Sequence, residues 1–220
     1  MKRVPAPHPT YRLIPSKFPP IGLFESVANA GDLEAVMELA GWTNDRLVAE
    51  RLARLPQDEW VFGRTNASIV MAAFLHAAPG GGRFNGPDLG AWYCSAEIAT
   101  AAAEVGHHLR RETVARGVPA LTRTFRAYTA RLAGRYLDLS DQRDEGLLAP
   151  DSHAAGQAFG EAERARGGDG LIYPSTRFRA GTSLVAYRPR NVLDVVQADH
   201  FEIAVGAAVR RIEVRRLGPK

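Results

Sequence analysis

The chain has 220 residues, 45% of them hydrophobic and 24% charged, ordinary proportions for a globular protein able to bury one substantial core. No run of about 18 apolar residues occurs, which argues against a membrane-spanning helix. The single cysteine, Cys94, excludes an intrachain disulfide framework and a multi-cysteine metal site, and fits a reducing cytoplasm. The formal net charge is +4, with a locally basic end formed by Arg210, Arg211, Arg215, Arg216 and Lys220. The arginines are otherwise dispersed and no groove-reading motif is present, so no direct nucleic-acid contact is expected. A solvated basic face or a pocket for a phosphate-bearing ligand accounts for the charge.

The opening MKRVPAPHPT is too rich in proline and too poor in apolar residues for a secretory signal, and residues 1–10 read as a flexible arm. Tyr11-Arg12-Leu13-Ile14 alternates as a short strand, closed by Pro15, Pro19 and Pro20. A helical region follows. Leu33, Val36, Met37 and Ala40 share one face after Asp32, and Thr43 caps a second helix to about Arg54 with Leu47, Val48, Leu52 and Leu55 for burial. A third apolar helix covers 68–76, and the block 22–76 reads as a helical insertion within a single domain of residues 1–220. A glycine-rich loop at 79–87 feeds a strand at 91–94. Ser95 then caps a helix that turns Ile98, Ala101, Ala102 and Val105 toward the core. Strands are expected at 123–132 and 135–139 around Gly134, a helix at 152–166 ended by Gly167 and Gly168, and strands at 170–173, 182–187 and 201–214. Strands concentrated late in the chain, among few helices, indicate an α/β fold of the mixed (α+β) kind and not a regular βαβ repeat.

Three places carry chemistry. Gly80-Gly81-Gly82 before Arg83 allows close backbone approach and can turn main-chain N–H groups to an anion. The dinucleotide fingerprint and the P-loop lysine are both absent, and a mobile hairpin loop has the same composition. Glu104 lies within the small-residue helix segment Ala99-Thr100-Ala101-Ala102-Ala103. It sits at the border of the apolar face, where it either points to solvent or meets a cation or hydroxyl. Ser175 follows the strand ending Tyr173-Pro174, placed either to meet a ligand at the sheet edge or to bond its own turn. No G-x-S-x-G elbow supports a serine hydrolase. Ser152, Gln157 and Arg177 fall near the same strand end, although the first two also suit a helix cap and a helix surface. His107 and His108 read as structural, and no third metal ligand has suitable spacing.

In order, Arg83-Phe84-Asn85, Tyr93, a helix bearing Glu104, and Gly170-Leu171-Ile172-Tyr173-Pro174-Ser175 resemble the RES domain family. The resemblance extends from Tyr11-Arg12-Leu13-Ile14-Pro15 through Pro19-Pro20-Ile21-Gly22-Leu23-Phe24-Glu25 and Met71-Ala72-Ala73-Phe74 to Ser183-Leu184-Val185-Ala186-Tyr187-Arg188-Pro189, or about residues 11 to 203. It implies a fold similar to ADP-ribosyltransferases, with a mixed sheet flanked by helices. It also implies a toxin of a toxin–antitoxin pair that consumes NAD⁺ by hydrolysis or phosphorolysis and needs no metal. The expected partners are a helical Xre-type antitoxin and a second copy in a homodimer. Modification of a protein acceptor is an alternative, and a basic binding module without catalysis is another.

By motif, Arg12 and Arg83 match the pocket arginines, Tyr93 the pocket tyrosine, Glu104 the helix glutamate and Ser175 the serine after the strand. Each residue type suits that chemistry. Guanidiniums bind a pyrophosphate in bidentate fashion, and a carboxylate stabilises the oxocarbenium-like ribose formed when nicotinamide leaves. An aromatic ring orients the scissile bond, and Gly82 lets the loop approach the dinucleotide. The chain departs from shorter members in its 22–76 block and in Phe84, where many carry tryptophan.

Overall fold

The computed structural model of the protein describes residues 1–16, 22, 24–29, 31–32, 35, 46–141, 146–150 and 152–218. Pro19, Pro20, Leu33, Val36, Met37, Ala40 and Thr43 lie outside the described residues. The strands are β1 (Lys2–Val4), β2 (Thr10–Pro15), β3 (Trp92–Ser95), β4 (Ala120–Leu132), β5 (Tyr136–Asp138), β6 (Gly170–Pro174), β7 (Thr182–Ala186), β8 (Val192–Gly206) and β9 (Ile212–Leu217). Among the described residues they are accompanied by α1 (Arg46–Ala53), α2 (Ala67–Leu75), α3 (Ile98–Ala115) and α4 (Ala154–Ala165).

One sheet holds all nine strands in the order β1-β5-β6-β7-β3-β2-β4-β8-β9. Every neighbouring pair is antiparallel except β5 and β6, so the sheet is mixed. β2 pairs with β4 along its full length, and β3 likewise with β7. Between β2 and β3, however, only Tyr11 and Ser95 are paired. The sheet is therefore two well-bonded halves joined at a narrow seam.

Strand alternation sorts the core into two faces. On one face Trp92, Ile172, Leu184 and Tyr128 meet Val48 and Leu52 of α1 and Met71 and Phe74 of α2. On the other face, Leu13, Phe125 and Ile203 pack under Ala101, Ala102 and Leu109 of α3. Leu171, Tyr173 and Val185 gather there with Phe84, Leu139 and Tyr187. The helices of the 22–76 block are thus built into the largest core cluster. Arg51 of α1, only 8% exposed, donates to the carbonyls of Leu75, Ala77 and Pro87 and pins both ends of the glycine-rich loop.

Three expectations need correction. Residues 2–4, expected in a flexible arm, form β1 on the edge of the sheet, with Lys2, Arg3 and Val4 paired to Asp138, Leu137 and Tyr136. A contact no local pattern encodes secures it: Arg3 Nη2 lies 2.7 Å from the buried Glu163 carboxylate. Ser95 is not a helix cap. It is a buried β3 residue, and α3 begins after Glu97, which makes no side-chain cap bond. Finally, β8 starts at Val192, well before the expected 201; its buried Val192 and Val195 are three apart, across a register shift opposite Thr129 and Arg131, so the two-residue alternation is broken there.

Gly160 of α4 shows how tightly the second face is packed. A Cβ there would strike the carbonyl of Phe84 and the hydroxyl of Tyr187. Gly160→Ala is expected to cost about 1–3 kcal/mol by overpacking, read from urea unfolding. Gly86→Ala, where an added Cβ meets only the Glu161 carboxylate at 3.9 Å, is the control expected to change stability little.

Candidate active site

The paired residues Tyr11–Ser95, Ser95–Ser183 and Ser183–Tyr173 run as one row across β2, β3, β7 and β6. Above the row lies α3, and Ala101, Glu104, Val105 and His108 form the stripe of that helix facing it, at the three- and four-residue spacing of one helix face. A cavity of about 230 Å³ between them is lined by these residues together with Arg12, Leu13, Tyr93 and Cys94. The seam between β2 and β3 thus opens into a cleft beneath α3.

Glu104 does not point freely into solvent. It accepts a 2.8 Å hydrogen bond from the Ser175 hydroxyl, 71 residues away in sequence. Ser175 Oγ in turn accepts from the backbone N–H groups of Arg177 and Phe178, both at 3.1 Å. The serine is at once the turn residue its position after Pro174 suggests and the partner of the helix glutamate. The turn reading of Ser175 holds, and Glu104 meets a hydroxyl instead of pointing to solvent.

Arg12 lies in the seam. Its Nη1 donates to the Tyr93 carbonyl at 2.9 Å, and its guanidinium sits 4.8 Å from the Trp92 ring centroid. Its Nε is buried without a hydrogen-bond partner. Burial lowers its pKa to about 10, which leaves it charged at neutral pH. Cys94, beside it, is pushed up to about 12 by burial and is a neutral thiol.

Arg83 does not line this cavity. Its Nη1 donates to the Ala149 carbonyl at 2.9 Å, and its Nη2 reaches Thr176 Oγ1, next to Ser175, at 3.4 Å. It is still close enough to interact electrostatically with Glu104, Tyr93 and Tyr173, and burial pulls its pKa below the usual range. The arginine and the glutamate therefore belong to one neighbourhood.

The loop carrying Arg83 is clamped, contrary to the mobile hairpin that its composition also allowed. Tyr93 donates its hydroxyl to Asn85 Oδ1 at 2.7 Å and accepts the Phe84 N–H at 2.9 Å. Gln157 of α4 donates to the carbonyls of Gly80 and Gly82. Tyr187 donates to the Phe84 carbonyl, and the Phe84 ring meets Tyr173 edge-on at 4.8 Å. Gly82 lies against the Tyr93 hydroxyl, where a Cβ would collide. Tyr93 thus has its polar end committed to the loop. Burial raises that phenol well above its ordinary pKa, so it stays protonated.

Ser152 and Arg177 line a second, larger cavity of about 660 Å³ with His107, Arg111, His153 and Gln157. Sequence reasoning missed Arg111 and His153, and set His107 and His108 aside as structural. The four-residue step from Glu104 to His108 was the available signal that they share a helix face. Burial and nearby arginines hold all three imidazoles below their ordinary pKa, and His107 falls to about 4. Among the described residues no three His, Cys, Asp or Glu side chains gather as a metal ion would require, and no helix is long and apolar enough to cross a membrane.

Fold and site together define a mixed α/β protein whose split sheet holds a glutamate–serine pair among arginines. The model of the RES domain matches residues 51–206, and the chain belongs to that family. A stretch of 40 residues is 45% identical to the uncharacterized protein y4oC of Sinorhizobium fredii (strain NBRC 101917 / NGR234), covering 18% of this chain and 17% of that protein. The crystal structure of the M. tuberculosis MbcT–MbcA toxin–antitoxin complex is similar over 89% of this chain and 86% of that chain, at 14% identity and a TM-score of 0.47.

The depressed imidazoles have a consequence for stability. His107 titrates near 4 in the folded protein and near 6.5 when unfolded. Between those values the unfolded chain binds more protons, so acid favours unfolding: stability is complete above pH about 6.5 and declines toward pH 4. The thermal midpoint of the wild type is expected to fall more steeply between pH 6.5 and 5 than that of His107→Gln. Identical slopes would show that His107 is not held neutral.

Proposed function

We propose that this protein is an NAD⁺-consuming toxin of a toxin–antitoxin pair, cytoplasmic, and that it cleaves the bond between nicotinamide and ribose. The observation that carries the proposal is the Glu104 carboxylate of α3, bonded by Ser175 and lining a cleft with Arg12 and Tyr93, with Arg83 nearby. Membership of the RES domain family supports the same reading.

In this reading NAD⁺ is the substrate. The C1′–N bond breaks with its electron pair passing to the nicotinamide ring, which leaves neutral. The positive charge left on the ribose is stabilised by Glu104, an anion already positioned by Ser175, in a site partly removed from water. Water or phosphate then attacks C1′ and gives up a proton. Arg12, charged and short of hydrogen-bond partners, and Arg83, fixed by Ala149 and Thr176, hold the pyrophosphate. The Tyr93 ring orients the ribose or nicotinamide, while its hydroxyl keeps the Arg83 loop in place. The protein partner in this reading is a helical antitoxin of the Xre type.

Purified protein incubated with NAD⁺ is expected to release nicotinamide, followed by chromatography. Glu104→Gln should lower the rate by about 10²-fold or more, the scale for removing an electrostatic stabiliser of the transition state. Arg83→Ala should chiefly raise KM, as loss of a ground-state phosphate contact does. Both variants should keep the wild-type circular dichroism spectrum. Wild-type turnover in both would refute the site assignment. Label appearing on a protein acceptor instead of in free ADP-ribose or its phosphate would move the activity to mono-ADP-ribosyl transfer.

A further inference from the structure

β9 ends the sheet, and among the described residues no further strand pairs with its outer edge. Such an edge carries a row of peptide N–H and C=O groups that another strand can satisfy. Charges of one sign along it would keep other strands away, but in β9 the signs are mixed. The strand reads Ile212-Glu213-Val214-Arg215-Arg216-Leu217, and its two faces differ. Ile212, Val214 and Arg216 register with Val205, Ile203 and Phe201 on the face covered by α3. Glu213 and Arg215 register with Ala204 and Glu202 on the opposite face. The α3 side of this edge is apolar. Phe178 and Val214, 42% and 46% exposed, line one groove of about 430 Å³ with Ile98, Phe201 and Ile212. Large apolar side chains left together in water mark a contact surface.

We infer that the outer edge of β9 is a self-association surface, where a second copy of this chain adds its own β9 antiparallel and continues the sheet. The charge pattern selects that occupant. A two-fold axis relating two antiparallel copies of one strand stands normal to the sheet and passes beside a residue that faces itself. With Val214 at the axis, Glu213 of each copy lies opposite Arg215 of the other, and residues 212–216 all fall within the ladder. Moving the axis one residue either way sets Glu213 against Glu213 or Arg215 against Arg215, and like charges directly opposite are destabilising. Arg215, already 2.7 Å from Glu202, then stands between two carboxylates. The side chains of Glu213 and Arg215 are 63% and 70% exposed, so both are free to make the new contact. On the α3 face Val214 meets its own copy beside the apolar groove. The stem of Arg216 there covers Ile212 of the second copy.

This inference is independent of the NAD⁺ reading. Sedimentation of the intact protein over a wide concentration range is expected to show a monomer–dimer equilibrium. Glu213→Arg sets arginine opposite arginine twice and should weaken the dimer about tenfold or more, the sum over two cross-strand pairs turned from attraction to repulsion. Arg215→Glu should do the same by setting glutamate opposite glutamate. An equal mixture of the two variants restores both opposite-charge pairs and should dimerise again. Val214→Cys should cross-link on oxidation, because directly opposed residues have Cα atoms about 4.5–5.5 Å apart, within the span of a disulfide. The native Cys94 is buried. Val196→Cys, also exposed but on β8, is the control expected to stay uncross-linked. A chain that is monomeric at every concentration, with Val214→Cys uncross-linked, overturns the proposal, including the case in which a strand of a different protein takes the edge. A dimer whose affinity is unchanged in Glu213→Arg overturns it as well, since its interface then lies elsewhere.

Discussion

The seam between β2 and β3 governs the molecule. Paired strands satisfy each other's peptide groups, and a seam closed at one residue pair leaves peptide groups on both sides needing other partners. Arg12 supplies one by donating to the Tyr93 carbonyl across the gap. A guanidinium placed there is costly to desolvate, and the Trp92 ring offsets part of that cost. The sheet thereby gains a cleft in its middle, where the strands on either side are firmly bonded to their outer neighbours. Tyr93, Glu104 and His108 of the candidate site line that opening.

Rigidity comes from contacts between elements. The glycine-rich loop is held from three directions: by Arg51 at its ends, by Gln157 along its glycines and by Tyr93 at its tip. A loop restrained in this way presents Arg83 with little further ordering to be done when a ligand arrives. The charges behave differently on the two ends of the sheet. On the β8–β9 ribbon the basic residues are matched with Glu202, Asp199 and Glu213, so the basic end of the chain is largely internally compensated. Around Arg177 they are not, and the positive potential there has no equivalent partner among the described residues.

Much of this was readable from the sequence where the signal was local. The buried strand at 170–174, the α3 and α4 helices and the α/β character follow from apolar periodicity and glycine punctuation. The association of Glu104 with Ser175 was reachable only through motif order, because a sequence separation of 71 residues leaves no local trace of it. β1 was hidden because its sequence is polar and proline-flanked, and its stability comes from β5 and Glu163, both distant in the chain. Ser95 misled because serine before a helix is ordinarily a cap, whereas here strand pairing on both sides claims it first. Arg111 and His153 could not be grouped beforehand, since α3 and α4 are brought together only by the tertiary fold.

The bonding of Ser175 also limits its chemistry. Two main-chain amides occupy the lone pairs of its oxygen, so the hydroxyl proton has one direction left, toward the carboxylate. An oxygen so engaged is a poor nucleophile, and its polarity as a donor is set by the turn at whatever pH the carboxylate remains ionised. The hydroxyl acts as a fixed pointer: it fixes the orientation of the glutamate's carboxyl group.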